Sequence, residues 1–254
     1  MTQSLFVTWR SGGEGRGYWG PVGRLDRDES GYRFIYLRGA RTLPGFVPFA
    51  GMPDLEQIYQ SDELFPLFAN RLLARSRPEY QAYLSWSGFE RGQAPDPIAI
   101  LGVTAGRRAT DQVEVFPCPE KGKDGRYQCD FFVHGLRWSA QAALDAVATL
   151  KPGDELALSP EPDNAQDANA VAVLTAATRD GERIGYVPRY LCADVLTLQA
   201  LAGAEQVSVC VRRVNSDAPM QHRLLCRLSS PWPDAFEPCS GDEYTPIVDE
   251  VALC

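Results

Sequence analysis

Histidine is nearly absent from this 254-residue chain. There are two, His134 and His222, and neither has a recognisable nucleophile partner in sequence, so both are read as structural. No Gly-x-x-x-x-Gly-Lys-Ser/Thr loop occurs. The nearest stretch, Gly102 to Thr110, lacks the lysine and its spacing, which removes support for ATP hydrolysis. No His-Arg-Asp catalytic loop or Asp-Phe-Gly segment of a kinase is found either. Nowhere do about 18 apolar residues run together, so no membrane span is expected. The opening MTQSLFVTWR carries no basic leader before an apolar stretch, so a signal peptide is not expected and a cytoplasmic location is. The seven cysteines contain no Cys-x-x-Cys pair and are odd in number, which argues against a disulfide framework and a zinc knuckle and predicts reduced thiols.

Basic surplus is missing too. The formal net charge is -8, and taken whole it argues against binding to phosphates. Its distribution changes that reading: residues 233–254 hold six acidic groups and no basic one, leaving the body close to neutral. Local arginine clusters there can still meet an anion. The rest of the composition, 44% hydrophobic and 23% charged, is that of a folded protein with room for one large or two modest domains.

Proline, glycine and alternating charge gather at Pro117 to Gly125, which reads as a linker at residues 117–125 between a domain at 1–116 and another at 126–232. Pro231 to Pro238 ends regular structure, and 233–254 reads as an acidic, solvated tail. In the first domain Leu5–Trp9, Pro21–Leu25 and Tyr32–Leu37 are predicted as strands of an antiparallel meander, and Gln112–Phe116 as another. The glycine run at 12–17 reads as a flexible hairpin, since no Lys-Ser/Thr follows it. Leu64, Phe65, Leu67, Phe68 and Leu72 fit an amphipathic helix opened by Ser61 or Asp62. Pro78–Phe89 predicts a second helix and Pro97–Leu101 a short third.

In the second domain the predicted strands are Phe131–Leu136, Glu155–Leu158, Ala170–Leu174, Glu182–Val187, Gln206–Val214 and Arg223–Leu228, with a hairpin turn at Arg179-Asp180-Gly181. Ser139 is expected to cap a helix running to Leu150, and Pro188 to open one bearing Leu191, Val195 and Leu198. The fold class is therefore α+β: N-terminal antiparallel strands with helices, then a small β-barrel with one long helix across an open end.

Three spaced motifs mark the second domain: Gly135-Leu-Arg137-Trp138, Glu161-Pro-Asp-Asn-Ala-Gln-Asp167-Ala-Asn169-Ala-Val-Ala-Val173, and Ile184-Gly-Tyr-Val-Pro-Arg189. Over about residues 126–230 they resemble the HIRAN domain, a module of some Snf2-type DNA-remodelling helicases and of free-standing bacterial proteins. The resemblance implies an OB-like barrel that captures the free 3′ end of single-stranded DNA, in a DNA-repair setting. An unpaired end presents a phosphate, a splayed base and a sugar hydroxyl. Arg137 suits the phosphate, Trp138 the base, and Asp167 with Asn164 the hydroxyl. Asn169 completes the candidate set, and Arg189 adds a phosphate contact beside its helix start. A structural role competes: a tryptophan in a strand is usually core, and Asp167 with Asn169 can cap a turn through backbone amides. The chain departs from the family at Gln166, where many members carry an aromatic residue.

The first half resembles, through Val22-Gly-Arg-Leu25, Tyr32–Tyr36, Leu64–Leu73, Asp96–Leu101 and Ala109–Val115, the N-terminal subdomain of HipA-type toxin kinases. That implies a fold and an alternative function, an antitoxin-like interaction module docking a kinase or defence complex through Phe65, Phe68 and Asn70. A hydrolase is a third reading. Asp163 and Asp167 could hold Mg²⁺, but no further acid stands at catalytic spacing. No catalytic residue, metal or cofactor is expected.

Overall fold

The structure, a computed structural model, describes residues 3–11, 17–90, 92–108, 111–175 and 181–248. The glycine run at 12–16, Ala109 and Thr110, and the Arg179-Asp180 turn lie outside them. In chain order the elements are β1 (Gln3–Arg10), β2 (Trp19–Asp28), β3 (Gly31–Tyr36), α1 (Gly39–Thr42), β4 (Tyr59–Ser61), α2 (Pro66–Ala69), α3 (Tyr80–Trp86), α4 (Pro97–Thr104), β5 (Val113–Pro117), β6 (Arg126–Phe132), α5 (Gln141–Thr149), β7 (Glu155–Pro160), β8 (Val171–Leu174), β9 (Arg183–Tyr186), α6 (Arg189–Ala202), β10 (Ser208–Val214) and β11 (Leu224–Pro231). They form an α+β molecule of two units. One takes Met1–Arg77, Ala94–Cys118 and Cys239–Cys254, the other Pro78–Gln93 and Pro119–Pro238.

The first unit is built on an antiparallel sheet ordered β4-β3-β2-β1-β5. Period-two alternation sends Leu5 and Val7 of β1, Val22 and Leu25 of β2 and Phe34 of β3 into one core with Phe68 and Leu101. Pro21 sits in β2 next to a bulge opposite Val7 and Thr8, a place where a missing N–H is tolerated. Asp96 caps α4, its Oδ1 accepting the Ile98 N–H at 2.9 Å, with Pro97 at the first helical position.

The helix expected over Leu64–Leu72 shrinks to the single turn α2. Pro66 at its first position fixes where the helix can begin. Beyond its end, the buried Arg71 guanidinium is drawn inward to the Gly106 and Val113 carbonyls, at 2.9 and 3.1 Å, and to both Asp111 oxygens, at 3.0 and 2.8 Å. Of the three residues expected to dock a partner, Phe68 is fully buried, Phe65 packs against the same core, and Asn70 is exposed.

Residues 239–248, part of the stretch read as a solvated tail, are ordered onto this unit. Tyr244 lays its ring edge-on to Phe6 at 4.9 Å, Asp242 pairs with Arg38, and the Ile247 N–H donates to the Tyr36 carbonyl at 3.0 Å. Tyr244 and Ile247 are half-buried apolar contacts inside an acidic segment.

The second unit holds an antiparallel sheet ordered β6-β11-β10-β7-β8-β9, curled so far that its edges meet. After β6, His134 exchanges both backbone hydrogen bonds with Tyr186 of β9 at 2.9 Å. Gly185 makes this closure possible: a Cβ there would lie 2.4 Å from the His134 carbonyl oxygen. Helix α6 buries Tyr190, Leu191, Val195 and Leu198. Helix α3, early in the chain, belongs to this unit and stacks Trp86 on His222 at 6.4 Å. The Asn215 amide donates to the Trp86 carbonyl at 3.0 Å. No helix is long and apolar enough to cross a membrane among the described residues, and the six described cysteines are free thiols.

Candidate functional site

Arg137 and Trp138 do not lie on the first strand of the barrel. Strand β6 stops at Phe132, and the chain passes through Gly135, at φ 83°, into a 3-10 turn over Leu136–Trp138. The left-handed conformation at 135 favours glycine, and it reverses the chain so that Leu136 is buried while the next two side chains face water. Trp138 is 78% exposed. Its indole carries the Arg137 guanidinium over its face, 4.3 Å from the ring centre. Arg137 has no carboxylate partner among the described residues, whereas Arg183 and Arg189 are both paired.

Ser139 fastens the turn to β9. Expected to cap α5, it instead donates its hydroxyl to the Ile184 carbonyl at 3.1 Å, and α5 begins after Ala140 without a side-chain cap. Gly135 lies against the Tyr186 ring, since a Cβ at 135 would sit 3.4 Å from Tyr186 Cδ2. The platform of Arg137 and Trp138 therefore stands on the seam where the barrel closes.

The loop between β7 and β8 stands on the same seam. Glu161 accepts from the Tyr186 hydroxyl at 3.0 Å and from the Asn164 amide at 2.8 Å, and pairs with Arg183 at 3.3 Å. Arg183 also donates to the Tyr186 oxygen at 2.9 Å. Burial pushes the Glu161 carboxyl up, but the hydrogen bonds from Asn164, Tyr186 and Arg183 and the Arg183 charge hold it below the usual carboxylate range. Burial, with Glu161 beside it, raises the Tyr186 phenol. Asn164 Oδ1 accepts the backbone N–H groups of Gln166 at 3.0 Å and Asp167 at 3.3 Å. Asp167 accepts the Asn169 N–H at 2.9 Å on one oxygen and pairs with Arg189 Nε at 3.0 Å through the other.

Thus Arg137 meets Trp138, and Asp167 meets Arg189 with Asn164 and Asn169 in the same loop. No hydrogen bond or ion pair joins Arg137 to Asp167 among the described residues. Asp167 caps the turn by accepting the Asn169 N–H, Asn164 by accepting those of Gln166 and Asp167, and Asp167 keeps lone pairs for a further donor. Arg189 is half-committed to Asp167, its side chain 38% exposed. The residues that sequence reading left without a role are Glu161, Arg183 and Tyr186, which build the loop onto β9. The signal for Tyr186 was present, in a motif whose glycine marks close backbone approach. An exposed stacked ring, a cation without a counter-ion and a polar loop beside them suit a ligand with a flat face and a phosphate.

Residues 127–231 match the family model of the HIRAN domain. Among solved structures, the crystal structure of the HIRAN domain of human HLTF is similar at 18% identity, over 43% of this chain and 81% of that one, with a TM-score of 0.31. A Lactobacillus plantarum protein from a structural genomics consortium is similar at 23% identity, over 42% and 97%, with a TM-score of 0.32. No curated protein matches.

Proposed function

We propose that the second unit binds nucleic acid and grips the free 3′ end of single-stranded DNA, with Trp138 stacking on the splayed base, Arg137 facing phosphate and the Asp167 loop facing the terminal sugar. A HIRAN domain implies nucleic-acid binding. The observation that carries the reading here is the indole left 78% exposed beneath an arginine without a carboxylate partner. The stacked guanidinium returns only about 0.5–1 kcal/mol of folding stability, whereas a base stacked on the ring gains about 1–3 kcal/mol. The docking alternative through Phe65, Phe68 and Asn70 is weaker, because Phe68 is out of reach of a partner without unfolding.

The test is fluorescence anisotropy with a labelled oligothymidine strand. Trp138→Ala is expected to weaken binding about ten- to a hundredfold, and Arg137→Ala to weaken it by a smaller factor while flattening its salt dependence. Unchanged affinity in both variants contradicts the proposal.

A further inference from the structure

Tyr186 of β9 touches both halves of the grip. Its backbone exchanges two hydrogen bonds with His134 at 2.9 Å, and its ring lies against Gly135, where a Cβ would stand 3.4 Å from Tyr186 Cδ2. Gly135 opens the turn that carries Arg137 and Trp138. On the other side the Tyr186 hydroxyl donates to Glu161 Oε2 at 3.0 Å, and the Asn164 amide donates to that same oxygen at 2.8 Å. With its Nδ2 held there, Asn164 turns Oδ1 to the backbone N–H groups of Gln166 and Asp167, at 3.0 and 3.3 Å. One carboxylate oxygen therefore separates the tyrosine hydroxyl from the amide that shapes the Asp167 turn.

We infer that Tyr186 is a positioning residue, an inference that rests on the 3′-end reading above: it sets the distance between the ring that stacks the terminal base and the carboxylate that meets the terminal sugar. A nucleotide has a limited reach from base to 3′-hydroxyl, so both contacts form together only where ring and carboxylate are held at that reach. The two supports fall on different parts of one residue. The ring and backbone brace the stacking turn, while the hydroxyl braces the loop. Its proton goes to Glu161 and its oxygen accepts from Arg183 Nη1 at 2.9 Å, so the phenol acts through the loop rather than on the strand. Removing the phenol oxygen alone then separates sensing of the sugar hydroxyl from stacking of the base.

The experiment uses the full chain and one labelled oligothymidine strand with a free 3′-hydroxyl or a blocked 3′ end, and reads the ratio of the two affinities by anisotropy. A change in the folded fraction scales both strands alike and leaves that ratio where it was. The unaltered protein is expected to prefer the free end by about tenfold or more, the gain from one hydrogen bond to a carboxylate. Tyr186→Phe is expected to bring the preference within about threefold while holding the blocked strand within about twofold of the parent's affinity. In an Asp167→Ala background the same substitution is expected to change neither affinity by more than about twofold, because the loop it acts through has already lost its acceptor. A free-end preference that survives Tyr186→Phe, or a further loss of affinity in the Asp167→Ala background, overturns the inference and leaves end capture standing. An unaltered protein that binds both ends alike, or neither, overturns both.

Discussion

Trp138 leaves its indole in water and so forgoes about 2–3 kcal/mol that burial of a large ring supplies. The stacked guanidinium returns only about 0.5–1 kcal/mol at an exposed site. Replacing this tryptophan should therefore separate binding from folding: Trp138→Ala is expected to keep the unfolding free energy, from urea denaturation, within about 1 kcal/mol of the parent while losing strand affinity. A large drop in that free energy would mean that the ring is structural. Gly185 is the opposite case, a residue that touches no ligand and carries closure. Gly185→Ala drives a Cβ into the His134 carbonyl and is expected to cost about 2 kcal/mol or more in urea denaturation. Sequence made Trp138 visible by type and motif but not by exposure, because the left-handed glycine that turns the ring outward breaks the alternation that suggested a strand.

The barrel strands were legible because their apolar runs are short, rich in valine and bounded by turn residues, as in Val171–Leu174 and Ser208–Val214. Helix α6 was legible from its leucine spacing. The stretch around Phe68 misled, since its period promised a long helix and the buried Arg71 bonding that diverts the chain has no local pattern. Within α6, Asp194 is a buried carboxylate whose hydrogen bond comes from the Tyr127 hydroxyl at 2.9 Å. Burial raises its pKa to about 6, against the lowering effect of that bond. An acid with a folded pKa above its unfolded value holds its proton more tightly when folded, so its stabilising contribution is complete below about pH 4 and lost as pH rises through about 6. Asp194→Asn should accordingly gain on the parent as pH rises. The melting-temperature difference, variant minus parent, is expected to increase by several degrees between pH 4 and 7.5, and a difference independent of pH would show that Asp194 is not held in this state.

The two units are interleaved along the chain, with α3 and the segment after Pro238 each joining the unit that chain order does not suggest. Composition shifts mark a linker but cannot show that a helix at 80–86 packs beneath a histidine at 222. The net charge of -8 was equally uninformative about the site, because what matters there is which cations lack partners: among the described residues Arg183 and Arg189 are held by carboxylates and Arg137 is not. Strand binding should then release few counterions, with a slope of log affinity against log salt of about -1 to -2; a slope near -5 would require a basic groove elsewhere. The most direct measurement compares the same strand with a 3′-hydroxyl and with a blocked 3′ end, at fixed salt, on the full chain. Tighter binding of the open end by tenfold or more, abolished by Trp138→Ala, is the predicted result. Equal binding of open and blocked ends contradicts it.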